Sequence, residues 1–149
     1  MADYKRIFLE GYSYYLTIVT HQRNPILIEH IEVLRESFRE SMRYYQYHID
    51  AIVILPDHLH MIITPAQAKA YPKIVRAIKY NFSTKVSHDQ GQSMARHKKG
   101  MNPVWQKRYY EHTIRNEKDY LRCIEYMRDN PVKHGLAEDS KAWEFSSFM

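Results

Sequence analysis

Apolar positions along the chain recur with two alternating periods. Gly11 to Thr20 is rich in aromatic and β-branched residues and reads as a first strand. Ile31, Leu34, Phe38, Met42 and Tyr45 then recur at helical spacing with charges between them, predicting an amphipathic helix. The run Ala51-Ile52-Val53-Ile54-Leu55 closes on Pro56-Asp57, as a buried strand and its turn would. His58 to Thr64 alternates as the return strand. A second helix is expected from about Tyr71 to His88. Its Ile74, Ile78, Phe82 and Val86 line one side, and Lys73, Arg76 and Lys79 cluster on the other. Lys85 falls outside that cluster. Asp89 to Pro103 reads as a mobile basic loop, and Trp105 to Arg115 resumes strand chemistry. A last helix begins at Glu117, with Asn116 as N-cap and Asp119 in the capping-box position. It is expected to end at Asn130-Pro131, because proline disfavours helical geometry in the residue before it. Trp143, Phe145 and Phe148 in the tail are expected to pack on the body.

The order β-α-β-β-α-β plus one helix is the split βαβ arrangement. The fold class is therefore α+β: a ferredoxin-like, four-stranded antiparallel sheet with two helices on one face and an additional C-terminal helix. The third strand is expected to be central, its open face available to a ligand unless the last helix covers it. The 149 residues fit one domain, 1–149, and an apolar content of 44% with 26% charged residues is ordinary for a globular protein. One cysteine, Cys123, excludes an internal disulfide and suits a reducing compartment. No stretch has signal-peptide form or membrane-spanning length, so no membrane partner is expected and a cytoplasmic location is.

Charge changes the picture more than composition does. The net charge is +5, but residues 66 to 115 hold eleven Lys and Arg against two acids, a local +9 that leaves −4 for the rest. A basic middle in an otherwise acidic chain suits either a polyanion-facing surface or a solvated basic face. Thirteen tyrosines and two tryptophans lean toward nucleic acid, since aromatic rings stack on unpaired bases.

Two positions carry candidate chemistry. On a strand, His58 and His60 point to one face with Cα atoms roughly 6–7 Å apart. Such a pair suits a shared metal ion, and it equally suits polar surface or a hydrogen-bonded core. On the last helix, Tyr120, Leu121, Cys123, Ile124 and Met127 form the apolar face. Tyr126 lies on its flank beside Asp119, Arg122 and Asn130, with Asn130 one turn on. That placement fits a nucleophile beside a metal, and it fits an amphipathic tyrosine at a core edge.

A family resemblance bears on that choice. The segment from Val53 through His58-Leu59-His60 to Ile63 resembles the His-hydrophobic-His motif of the single-tyrosine transposases. Trp105-Gln106-Lys107-Arg108-Tyr109-Tyr110-Glu111-His112-Thr113-Ile114-Arg115 resembles a second block of one branch of that family. Tyr126-Met127-Arg128-Asp129-Asn130-Pro131-Val132-Lys133-His134-Gly135 resembles its tyrosine helix and the following turn. The three blocks in this order are similar to the REP-associated tyrosine transposases, and the likeness runs from the first strand to the Trp143–Phe148 tail.

The resemblance implies that His58 and His60 bind a divalent metal, Mg²⁺ or Mn²⁺, with Asn130 as third ligand. It implies that Tyr126 is the nucleophile, cutting single-stranded, hairpin-associated DNA through a 5′-phosphotyrosine. Lys73, Arg76, Lys79, Arg96, Lys98, Lys99, Arg108, Tyr109 and Arg115 are the expected DNA contacts. Trp105 and Tyr110 are further candidates for stacking, and no role is assigned to His112. The chain is expected to act as a monomer or homodimer. The alternative is a domesticated protein that binds hairpin DNA without significant cleavage. A water-using metal hydrolase and an RNA-binding module are the remaining readings.

Overall fold

The computed structural model describes residues 12–89 and 103–147. The basic residues Arg96, Lys98 and Lys99, and Phe148 of the tail, lie outside the described residues. The elements are β1 (Ser13–Val19), α1 (Ile31–Met42), β2 (Tyr47–Ile54), β3 (His58–Pro65), α2 (Tyr71–Asp89), β4 (Tyr110–Ile114) and α3 (Glu117–Lys133). The four strands form one sheet in the order β2-β3-β1-β4, every neighbour antiparallel. This is the expected split βαβ sheet, with β3 inside it.

Period-two alternation sorts the strands onto two apolar clusters. Tyr14, Leu16 and Ile18 of β1 and Leu59, Met61 and Ile63 of β3 face α1 and α2, packing on Leu34, Phe38, Ile74, Ile78 and Phe82. Tyr15, Ala51, Val53 and Ile62 face the other way, against Met127 and the partly buried Tyr120, Cys123 and Ile124 of α3. The last helix therefore covers part of the second face and leaves the rest as a cavity wall. Leu121, expected on the apolar side, is 51% exposed, whereas Met127 is fully buried. The sheet under α3 meets a narrower stripe than the wheel gives.

Three further expectations are corrected. The helix carrying Tyr126 does not stop at Asn130-Pro131 but runs through Pro131 to Lys133. Proline costs a helix one N–H and some crowding, and here the stop is made later. Gly135 adopts φ +71°, Leu136 N–H donates to the Pro131 carbonyl at 2.8 Å, and Gly135 N–H donates to that of Val132 at 3.0 Å. This is a Schellman closure, which sets the end at the glycine.

The strand expected from Trp105 contracts to Tyr110–Ile114, with Trp105 making only an isolated bridge to Thr20. The Trp105 indole is buried, donates to the Lys79 carbonyl at 3.2 Å and packs on Phe82 at 5.3 Å between ring centroids. It serves the core and is not free to stack on a base. The first helix ends at Met42, one turn before Tyr45.

The tail closes a sheet edge. Ile54 N–H donates to the Phe145 carbonyl at 2.8 Å and Ser147 N–H to that of Ile52 at 2.9 Å. These bonds satisfy backbone groups that β2, an outer strand, would otherwise present to other chains.

Candidate active site

The register that makes the sheet also makes the site. Thr17 lies opposite His60, and Val19 opposite His58, so odd residues of β1 share a face with both histidines. Tyr15, Thr17, His58 and His60 line the floor of a cavity of about 620 Å³. Its walls come from Tyr110 and His112 of β4 and from Asp119, Arg122, Cys123 and Tyr126 of α3, with Arg23, Lys133 and His134 at the rim.

The two imidazoles lie 5.0 Å apart at their centroids, nearly perpendicular at 86°. Each is held through Nδ1. His58 Nδ1 is 2.6 Å from Asp57 Oδ1, and His60 Nδ1 is 2.8 Å from both the Tyr15 hydroxyl and Thr17 Oγ1. We assign both rings as Nδ1–H tautomers, donating to these oxygens, which directs each Nε2 lone pair away from its support. A histidine so braced presents a fixed nitrogen lone pair to a ligand. His60 Nε2 is buried and has no hydrogen-bond partner. Burial, then the neighbouring His58, His134 and Lys133, pull the His60 imidazole down to about 3, so it is neutral at pH 7. Burial raises the Tyr15 phenol well above its ordinary range and keeps that group a neutral partner.

Asp57 links the histidine floor to the rim. Its Oδ2 accepts from Arg23 at 3.2 Å while Oδ1 holds His58. Burial alone would raise its carboxyl, but His58 and Arg23 together outweigh that and hold it below the ordinary value. Arg23 reaches this position from a left-handed turn, Gln22 and Arg23 having φ 53° and 54°. Non-glycine residues adopt such angles at a cost of roughly 1–2 kcal/mol each.

Tyr126 is 46% exposed, its ring 5.5 Å from that of His60 and edge-on at 81°. The Lys133 ammonium sits 5.2 Å from the same ring, bringing positive charge to the phenol from two turns along the helix. Asn130, one turn beyond Tyr126, is fully buried, and neither its Oδ1 nor its Nδ2 has a hydrogen-bond partner. A buried amide with both ends unpaired is costly. On the far wall His112 Nε2 lies 2.7 and 3.0 Å from the two Asp119 oxygens. The ligand atoms of His112, Asp119 and Cys123 are all within 4.8 Å of one another. Burial, with Asp119 beside it, raises the Cys123 thiol to about 11.

The structure thus brings His58, His60 and Tyr126 around one cavity, with Asn130 buried next along the tyrosine helix. The expected DNA contacts fall elsewhere. Lys73 and Arg76 are exposed on α2, which packs on the opposite face of the sheet. Lys79 donates to the Gln106 carbonyl at 2.9 Å and stands 5.7 Å from the centroid of the Tyr109 ring. Tyr109 is accordingly packed against the α2 side, and its neighbour Tyr110, 59% exposed, is the ring that lines the cavity. Arg108 and Arg115 are exposed outside the cavity lining.

Sequence reasoning missed Tyr15, Thr17, Arg23, Asp57, Lys133 and His134. For Asp57 a signal existed, a carboxylate directly before the first histidine. Tyr15 and Thr17 become visible only once the β1–β3 register is known.

Comparison with known proteins agrees with this architecture. Residues 9–130 match the model of the family described as "Transposase IS200 like", and the chain belongs to that family. Within it, the similarity is to REP-associated tyrosine transposases. The one from Escherichia coli (strain K12) is 32% identical over 150 residues, spanning 99% of this chain and 83% of its own. A relative of the same class from Haemophilus influenzae is 34% identical over 151 residues, spanning 99% of this chain and 86% of its own. Among solved structures, a REP-associated tyrosine transposase bound to a REP hairpin superposes with a TM-score of 0.82 at 31% identity, covering 99% of this chain and 83% of that one. Among the described residues no helix is long and apolar enough to cross a membrane.

Proposed function

We propose that this chain is a divalent-metal-dependent, single-stranded DNA endonuclease and strand transferase acting on hairpin-associated DNA through Tyr126. The observation that carries the reading is the buried, unpartnered His60 Nε2 with the Tyr126 ring 5.5 Å away. The residues fit a metal. Two imidazoles braced at Nδ1 and a buried amide oxygen lacking a donor are suitable ligands for an ion such as Mg²⁺ or Mn²⁺. Bound there, the ion would act as a Lewis acid toward a non-bridging phosphate oxygen.

The remaining chemistry belongs to the protein. The Tyr126 oxygen attacks phosphorus, a phosphotyrosyl ester forms at the 5′ side, and the P–O3′ bond breaks. The leaving oxygen takes up a proton as a 3′-hydroxyl. The link retains the ester, so an incoming 3′-hydroxyl reverses the step and rejoins strands. Lys133, beside the phenol, offsets charge gathering on the transferring phosphate, and Arg23 and Arg122 at the same cavity attract the backbone. Lys73, Arg76, Arg108 and Arg115, exposed outside the cavity, offer further phosphate contacts. A solved relative bound to a REP hairpin supports the substrate class.

The test is incubation of the purified chain with labelled hairpin-flanked single strands and Mn²⁺ or Mg²⁺, resolved on a denaturing gel. A covalent protein–DNA band that Tyr126→Phe and His58→Ala both abolish is the expected result. Tight hairpin binding with no covalent band in either metal would replace this reading with the binding-only protein.

A further inference from the structure

We propose that His112, Asp119 and Cys123 form a second metal site, selective for a soft-tolerant ion of the Zn²⁺ class and distinct from the His58–His60 pair. One ligand comes from β4 and two from α3. Asp119 and Cys123 are four residues apart on the helix and so stack on one face a turn apart. His112 on β4 lies in direct contact with Asp119, and all three ligand atoms already fall within 4.8 Å of one another.

The donor set argues for a different ion from the one at the histidine pair. Imidazole, carboxylate and thiolate together are a zinc combination, whereas Mg²⁺ and Mn²⁺ favour oxygen-rich sets. Zinc bonds of about 2.0–2.3 Å in a tetrahedron put ligand atoms roughly 3.3–3.6 Å apart. The 2.7 Å contact between His112 Nε2 and Asp119 must open by a little over half an ångström. Both side chains border the cavity, which leaves room for that shift and a fourth position for water or a phosphate oxygen. Such a site ties β4 to α3 one turn ahead of Tyr126 and thereby fixes the tyrosine helix over the sheet.

A feature of the sequence makes the test clean: Cys123 is the sole cysteine, so any thiolate–metal signal reports this site alone. Metal-stripped full-length protein is titrated with Co²⁺ and followed by absorption. The expected result is a thiolate-to-cobalt charge-transfer band that persists in the His58→Ala/His60→Ala double variant. It should vanish in Cys123→Ser and His112→Ala, and one equivalent of Zn²⁺ should bleach it in the wild type. No thiolate band in the wild type overturns the proposal. So does a band that survives both His112→Ala and Asp119→Ala, because the cysteine would then be using other ligands. Where His112→Ala does not fold, the conservative variants His112→Gln and Asp119→Asn serve in its place, and a band unchanged in both overturns the proposal. DNA cleavage does not enter this readout, so it stands or falls separately from the transposase reading.

Discussion

Lowering the pH from 7 to 5 charges an ordinary histidine but leaves His60 neutral, and the difference is measurable as stability. In the unfolded chain the imidazole takes its proton near pH 6.5, whereas in the folded protein burial, then the neighbouring His58, His134 and Lys133, depress it to about 3. Between those values the unfolded state binds more protons. Stability present above pH 6.5 is therefore lost as the pH falls toward 3, and below 3 the loss stops. Integrating from pH 7 to 5 gives about 2 kcal/mol for this one ring. That figure barely changes for any folded-state value below 4, because His60 is then almost wholly neutral at pH 5. Against a total of roughly 5–15 kcal/mol for a domain, the effect is large. Urea unfolding of the chelator-treated protein at both pH values measures it. A loss of 2 kcal/mol corresponds to a midpoint shift of about 1 M for a slope near 2 kcal/mol/M. His60→Gln removes the titration while the other eight histidines remain, so the wild type should lose about 2 kcal/mol more than the variant. Equal losses in both proteins would refute the assignment of a buried, neutral His60.

Three other outcomes are expected. Asp57→Asn removes the carboxylate that orients His58 and should weaken Mn²⁺ binding about 10–100-fold in a calorimetric titration; unchanged affinity would detach Asp57 from the site. Lys133→Gln should slow strand cleavage about tenfold, or ~1.4 kcal/mol of transition-state stabilisation, with hairpin affinity little altered. An equal fall in binding would make Lys133 a general phosphate contact instead. Gly135→Ala should cost about 1–2 kcal/mol in urea unfolding. A Cβ there meets nothing within 4 Å, so the cost comes from φ +71° alone, and an unchanged midpoint would argue against the Schellman closure.

How much of this was legible in the sequence depends on whether the determinant is local. The two histidines on one face follow from the period of a strand, and β3 in the interior of the sheet follows from the order of elements. Tyr126 on the flank of the helix follows from the wheel. The end of that helix is misread locally because Pro131 is a strong local signal, yet the stop resides in Gly135 and in the hydrogen bonds that Leu136 and Gly135 donate to the carbonyls of Pro131 and Val132. Trp105 escapes a local reading for a related reason. Its neighbours read as strand, but the carbonyl of Lys79 and the ring of Phe82, more than twenty residues earlier, capture the indole.

The support of His60 by Tyr15 and Thr17 and the seating of the tail on β2 are long-range pairings. No periodicity encodes them. The basic helix is the opposite case: its stripe was correctly located in the chain, but only the packing of α2 on the far face of the sheet separates it from the cavity.

The central claim is that Tyr126 becomes covalently joined to the 5′ side of the cut. Its most direct test is mass spectrometry of proteolysed protein after incubation with a hairpin-flanked single strand and Mn²⁺. A nucleotide adduct on the peptide containing Tyr126, accompanied by a free 3′-hydroxyl on the released strand, is the expected result. Cleaved DNA carrying a free 5′-phosphate, with Tyr126 unmodified and Tyr126→Phe still active, would contradict the account and assign the reaction to water.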